Sequence, residues 1–203
     1  MSDIKYNKEK LYPKNVTIYT EANPNPNSMK FMLSFLLIGN GDSFDFPDLP
    51  SAGKSPLATA LFEKFDYIER VFLMANFITI TKKESVEWMD VVPELKGFLK
   101  EFFETGGELF NEQQPEQQVI IDTDSEAVKK IKGVLDEYIK PAVESDGGAI
   151  QFHSFDEESG VVKVLLQGAC SGCPSSTITL KAGIENMLKR MVPSVKEVVA
   201  EGV

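Results

Sequence analysis

A glutamine-rich segment near the middle of the chain limits, more than any other sequence feature, which folds the chain can adopt. Residues 111–124 read NEQQPEQQVIIDTD, with four Gln and one Pro, a composition typical of a solvated linker. The chain has 203 residues, enough for one large domain or two small ones. We therefore predict two small domains, residues 1–110 and 125–203, joined by a linker over residues 111–124.

The residues before the linker predict a small α/β domain. Runs of β-branched and large apolar residues predict strands over residues 16–20, 29–38, 68–74 and 77–81. Ser55 followed by Pro56 is typical of a helix start, and an amphipathic pattern predicts a second helix over residues 85–103, bent or restarted at Pro93. The sequence PNPN at residues 24–27, called the PNPN turn below, is interpreted as a plain connection between the first two strands.

The residues after the linker predict the element order α-β-β-α-β. An apolar stripe begins after Ser125 and predicts a helix that ends at Lys140-Pro141. Alternation predicts strands over residues 150–155 and 162–166, and a helix stripe up to Met191 precedes a last strand over residues 195–200. The predicted fold class is α+β, with two small α/β domains and a C-x-x-C loop in the second.

The charge balance excludes some classes of partner. The chain carries 31 acidic and 21 basic residues, a net charge of -10, which is the wrong sign for binding a nucleic-acid backbone. The apolar run at residues 31–38 is too short to span a bilayer, so we expect no membrane association. The charged N-terminal residues contain neither a secretory signal nor an Arg-rich leader, which predicts a cytoplasmic protein.

Two cysteines, Cys170 and Cys173, carry the chemistry that the sequence offers. They lie in the segment GACSGCP, residues 168–174, which leaves a predicted strand and enters a predicted helix. The positive end of a helix dipole favours anions, so we expect both thiols to ionise more readily than an isolated cysteine, whose pKa is about 8.5. Thiolates bind metals, and the two-residue spacing lets both sulfurs face one centre.

Three interpretations of this pair remain open on local grounds. A thioredoxin-like dithiol oxidoreductase, a zinc-bridged interaction protein and an iron–sulfur protein would each use such a loop. A metal site needs about four ligands, yet the chain has two Cys and one His, and the alternation places His153 on an exposed strand face. Two chains would therefore complete the site, and an exposed loop would allow the metal to be handed on.

The chain resembles a known family in both predicted domains. Residues 165–176, LLQGACSGCPSS, resemble the cluster-binding core of the NifU C-terminal domain, as do Asp146-Gly147-Gly148 before them and Val192-Pro193 after them. Residues 24–31, PNPNSMKF, and residues 77–82, FITITK, resemble the Nfu N-terminal domain. Two departures stand near the loop: Ala149 where the family usually has an acidic residue, and Lys140 where Arg is common.

The resemblance implies an iron–sulfur scaffold or carrier rather than an enzyme. It implies a [4Fe-4S] cluster held between two subunits of a homodimer, with Cys170 and Cys173 as ligands, received from an upstream assembly scaffold and passed to apo iron–sulfur proteins. The first domain has no ligand cluster or phosphate loop, and residues 1–124 hold 20 acidic and 12 basic residues. We expect that domain to select donors or recipients.

Overall fold

The structure, a computed structural model, describes residues 12–39, 41–111, 124–171 and 174–202, with only the backbone described for residues 174–177. The predicted linker therefore lies outside the described residues except at Asn111 and Asp124. The chain forms two compact units, and the second contains the short segment Ala22–Met29 as well as the C-terminal residues. Among the described residues, no helix has both the length and the apolar character needed to cross a membrane.

The first sheet has the strand order β1-β2-β5-β4-β3. In chain order the elements are β1 (Ile18–Ala22), β2 (Ser28–Leu33), β3 (Ser43–Phe46), a 3-10 turn (Pro50–Lys54), α1 (Pro56–Lys64), β4 (Ile68–Met74), β5 (Phe77–Lys82) and α2 (Trp88–Glu104). The hydroxyl of Ser55 accepts a hydrogen bond from the amide of Ala58 at 3.2 Å, which confirms the predicted start of α1. The predicted β4–β5 hairpin is also confirmed, because Met74 pairs with Phe77 across a two-residue turn.

Three features of this part differ from the sequence prediction. Strand β3 was not predicted, although Phe44 and Phe46 alternate along it, and it pairs antiparallel with β4. Strand β2 ends at Leu33, so the strand predicted to reach residue 38 is too long. Helix α2 continues through Pro93 without a restart, because buried residues on both sides of the proline, from Val91 to Phe103, hold one helix face against the core.

The C-terminal residues confirm the predicted order α-β-β-α-β. The elements are α3 (Glu126–Val134), a π-helical turn (Leu135–Ile139), α4 (Lys140–Ser145), β6 (Gly148–Asp156), β7 (Val161–Gly168), α5 (Pro174–Met191) and β8 (Glu197–Gly202). Strand β7 is central, antiparallel to β6 and parallel to β8. A parallel pair needs a crossover connection, and α5 supplies it, so the cysteine segment lies where the crossover begins.

The first helix of this unit does not end where the sequence predicted. Lys140 and Pro141 open α4 instead of closing the helix, because proline is tolerated in a first helical turn. Two residues of the predicted apolar stripes face solvent: Tyr138 is 45% exposed and Met191 is 44% exposed. Helix and strand residues of this unit meet in one buried core, formed by Ile131, Val134, Leu135, Ile139, Val143, Ile150, Val162, Val164, Leu166, Cys170, Ile184, Leu188, Val192, Val195 and Val198.

Candidate metal centre

Cys170 lies in the short connection between β7 and α5, as the sequence predicted. Strand β7 ends at Gly168, whose φ of +64° turns the chain in a way that side-chain-bearing residues rarely adopt. The amide of Ser171 then donates a hydrogen bond to the carbonyl of Gly168 at 3.1 Å, which closes a tight turn around Cys170. The second predicted ligand, Cys173, lies outside the described residues.

A second glycine makes room for the Cys170 thiol. Gly148 begins β6 and stands opposite Gly168 in the strand register. A methyl group on Gly148 would lie 2.5 Å from the carbonyl oxygen of Gln167 and 2.9 Å from the sulfur of Cys170. The backbone of β6 therefore forms a floor directly under the thiol, and only glycine fits there.

The loop makes one further backbone hydrogen bond and one further close backbone approach. The amide of Ala169 donates to the carbonyl of Gly147 at 3.2 Å, so the residue before Cys170 is bonded to the residue before the glycine floor. On the β8 side, a methyl group on Gly202 would lie 2.8 Å from the hydroxyl oxygen of Ser171. The loop is thus enclosed by backbone from β6 and from β8, which limits where the sulfur can move.

Cys170 is more buried than the sequence analysis expected. Its side chain belongs to the hydrophobic core and the residue is 6% exposed, so the expectation of an exposed loop is wrong at this position. Cys170 nevertheless lines a cavity of about 350 Å³, together with residues that include Asp146, Leu180, Pro24 and Asn25. Residues of the PNPN turn therefore share a cavity wall with Cys170.

His153 lies away from this centre. It is exposed on β6, as the alternation predicted, and its Nδ1 lies 3.3 Å from the hydroxyl of Ser154. Gly148, under the thiol, is five residues away along the strand, which at 3.3 Å per residue is roughly 17 Å. Across the part of the chain that the structure describes, no three His, Cys, Asp or Glu side chains come together as a metal site.

The helix that follows the cysteine segment is fastened to the sheet by Glu185. Its carboxylate accepts hydrogen bonds from the ammonium of Lys189 at 2.5 Å and from the amide of Val198 at 3.0 Å. These two bonds, the lysine first, lower the pKa of Glu185 below its ordinary value. A charged carboxylate thus ties α5 to β8 at neutral pH and stabilises the frame around the loop.

Three residues that shape this centre were not predicted from the sequence: Gly148, Gly202 and Asn25. Gly148 stood within a segment already noted for its resemblance, but its role depends on the β6–β7 register, which no local pattern shows. Asn25 stood in the PNPN turn, whose composition predicts a turn and says nothing about what the turn contacts. Only the glycine pair at residues 147–148 carried a usable signal, because two adjacent glycines suggest a close backbone approach.

Comparisons with known proteins match both halves of the chain. Residues 131–199 match the family model described as NifU-like domain, and residues 18–106 match the one described as Scaffold protein Nfu/NifU N terminal. The mitochondrial NFU1 iron-sulfur cluster scaffold homolog of Drosophila persimilis is 43% identical over 182 residues, covering 89% of this chain and 64% of that protein. NifU-like protein 4, mitochondrial, of Arabidopsis thaliana is 44% identical over 187 residues, covering 91% and 65%.

A solved structure shows a weaker likeness. The solution structure of a NifU-like protein from Saccharomyces cerevisiae is 21% identical, with a TM-score of 0.45, and covers 56% of this chain and 100% of that one. This likeness is too low to bear on function.

The relatives correct one prediction from the sequence. Both curated relatives are named as mitochondrial proteins, so the cytoplasmic location predicted above is wrong. That prediction relied on the N-terminal residues, but the chain spans just under two thirds of the length of these relatives, at 64% and 65%. Where this sequence begins therefore carries no information about a leader.

Proposed function

We propose, from the premise that the chain belongs to the Nfu/NifU family of scaffold proteins, that it binds an iron–sulfur cluster through Cys170 and Cys173 and passes it to apo-proteins. The placement of Cys170 carries this proposal. The residue lines a cavity, its sulfur lies over a glycine floor, and it stands between a strand end and a helix start. Amide N–H groups in such a loop can approach bound sulfur, and thiolate is the ligand that these clusters use.

We further propose that two copies of the chain share one [4Fe-4S] cluster. Such a cluster takes about four thiolate ligands, and one chain has two cysteines. The single histidine, His153, is exposed and roughly 17 Å along the strand from the floor of the site. A two-fold pair, with one C-x-x-C from each copy, supplies the required number of thiolates.

A ligand set completed by association suits a protein that releases its cargo. Separation of the two copies removes half of the thiolates from the cluster, and cysteines of an acceptor can then replace them one by one. The reaction is ligand exchange, so no substrate is chemically converted and the protein acts as a scaffold or carrier. The partners in this proposal are an upstream assembly scaffold and apo iron–sulfur proteins.

Anaerobic reconstitution with iron and sulfide tests this proposal. The wild-type protein is expected to become coloured, with broad visible absorption, whereas the variants C170A and C173A stay colourless and folded. The matched control H153A is expected to load like the wild type, because His153 lies outside the site. A colourless wild-type protein that binds zinc, or one that reduces protein disulfides without metal, would overturn the proposal in favour of the zinc-bridged or oxidoreductase alternative.

A further inference from the structure

The PNPN turn contacts the loop that carries Cys170. The segment Ala22–Met29 belongs to the same compact unit as the cysteine loop. Asn25, which is 7% exposed, donates a hydrogen bond from Nδ2 to the carbonyl of Ala169 at 3.3 Å. The same residue lines the cavity that Cys170 also lines. The turn is therefore more than the plain strand connection that its composition suggested.

The remaining polar atoms of Asn25 fix its side chain in this direction. Its Oδ1 accepts a hydrogen bond from the amide of Asn27 at 3.0 Å. Its carbonyl accepts from the amide of Ser28 at 3.0 Å and from the Ser28 hydroxyl at 3.2 Å. With Oδ1 held inside the turn, Nδ2 can only point outward, toward the carbonyl of Ala169.

The two prolines of the turn reduce the entropy that this contact costs. Pro24 has a restricted φ, and a residue that precedes proline, here Asn25 before Pro26, is restricted toward extended backbone. The unfolded chain then has fewer conformations to lose when the turn forms. The restricted backbone of the turn thus lowers the entropy cost of its contact with the cysteine loop.

The bond from Asn25 completes the fixation of Ala169. The amide of this residue donates to the carbonyl of Gly147 from the β6 side, and its carbonyl accepts from Asn25. Hydrogen bonds at both the N–H and the C=O of Ala169 restrict the rotation of its two peptide groups, and the next residue in the chain is Cys170. Asn25 therefore bonds to the peptide group that leads directly into Cys170.

We propose that Asn25 is a positioning residue for the Cys170 thiol and that the PNPN turn forms a wall controlling access to it. Loss of the Asn25 amide lets the loop open more often, which exposes the sulfur in the empty protein and loosens its hold on a cluster. The first consequence is independent of the proposed function, and the second rests on it.

Alkylation of the empty protein tests the first consequence. The full chain carrying C173S has Cys170 as its one thiol, and its reaction rate with iodoacetamide reports how often the loop opens. One hydrogen bond of this kind is worth about 1 kcal/mol, so N25A is expected to raise the rate about fivefold. N25D keeps an acceptor for the Asn27 amide but lacks the donor to Ala169, and it is expected to raise the rate by a similar factor.

Asn27→Ala is the matched control, because it removes an asparagine side chain from the same turn while leaving the backbone amide that bonds to Asn25. Its alkylation rate is expected to equal that of the parent. Equal rates for N25A, N25D, N27A and the parent, with thermal unfolding showing that all four are folded, would overturn the proposal.

Release of a reconstituted cluster to a chelator tests the second consequence, in chains that keep both cysteines. N25A is expected to release iron about fivefold faster than wild type and N27A. A protein that never loads a cluster, but whose Cys170 alkylation responds to N25A, would refute the proposed function and leave the positioning role standing. Normal cluster loading, with neither the alkylation rate nor the release rate changed by N25A, would refute the positioning role and leave the proposed function standing.

Discussion

Two pairs of adjacent glycines, each just after a helix, have the same backbone geometry but different surroundings. Gly106 follows α2 with φ +79°, and Gly147 follows α4 with φ +78°. Each donates its amide to a carbonyl three residues back, at 3.0 Å, as expected of a glycine that ends a helix. The chain uses the same helix terminus in both compact units.

The second glycine of each pair makes the difference. A methyl group on Gly107 would meet the ring of Phe102 at 2.5 Å, and that ring is the end of a side chain. A methyl group on Gly148 would meet the backbone oxygen of Gln167 and the sulfur of Cys170. Gly107 thus relieves side-chain packing, whereas Gly148 makes room for the Cys170 thiol. The same motif serves packing in one unit and borders the candidate site in the other.

The largest expected effect is the difference between G148A and G107A in the free energy of unfolding and in cluster loading. The methyl group of G148A meets backbone that cannot move without distorting the β6–β7 pairing, so we expect a loss of about 2 kcal/mol or more in the free energy of unfolding, and loss of cluster loading. For G107A we expect about 1 kcal/mol, because the Phe102 ring can shift, with loading unchanged. Thermal unfolding and visible absorption after reconstitution measure the two effects, and normal loading by G148A would break the comparison.

The first glycines of the pairs should behave alike in stability and differently in function. Both G147A and G106A place a side chain at positive φ, which costs about 1 kcal/mol. Loading is expected to fall in G147A alone, since Gly147 holds the amide of Ala169. Denaturant unfolding gives the first quantity and bound iron the second; equal loading by the two variants would show that the helix end and the cysteine loop are not coupled.

A smaller effect concerns acid. The folded-state pKa of Glu185 is lowered, first by Lys189 and then by the Val198 amide. Its stabilising contribution is therefore complete above the ordinary glutamate pKa of 4.5 and is lost as the pH falls through the lower folded value. E185Q is expected to lower stability at pH 7 by about 1 kcal/mol and to remove this part of the acid dependence.

The exposed Glu157 in the β6–β7 turn offers a matched control. E157Q removes one carboxylate without touching the α5–β8 contact, and denaturant unfolding from pH 7 to pH 3 compares the variants. If E185Q and E157Q gave the same pH profile, Glu185 would not fasten the helix.

Sequence patterns predicted the order of the elements in the second unit correctly, but they predicted element boundaries less well in both units. The order α-β-β-α-β follows from apolar periodicities that the core satisfies, as at Val162, Val164 and Leu166. The helix end predicted at Pro141 is wrong, because proline is tolerated in the first turn of α4. Helix α2 continues past Pro93, because the apolar residues that follow pack against the core. Strand β3 was missed because four residues give too short a pattern.

The place of Cys170 in the fold was predictable from the sequence, whereas the residues packed around it were not. Cysteine spacing and the neighbouring helix start identify Cys170, since both are local in sequence. The contact between Asn25 and Ala169 joins residues 144 positions apart, and the glycine floor depends on strand register. Such contacts follow from tertiary packing, which no short window of sequence contains.

The central claim, that two chains share the cluster, is tested most directly by the mass of the intact reconstituted protein measured without oxygen under native conditions. The account predicts a species of two chains with about four iron and four sulfide, and no cluster on C170A. A stable single chain that carries the whole cluster would contradict it.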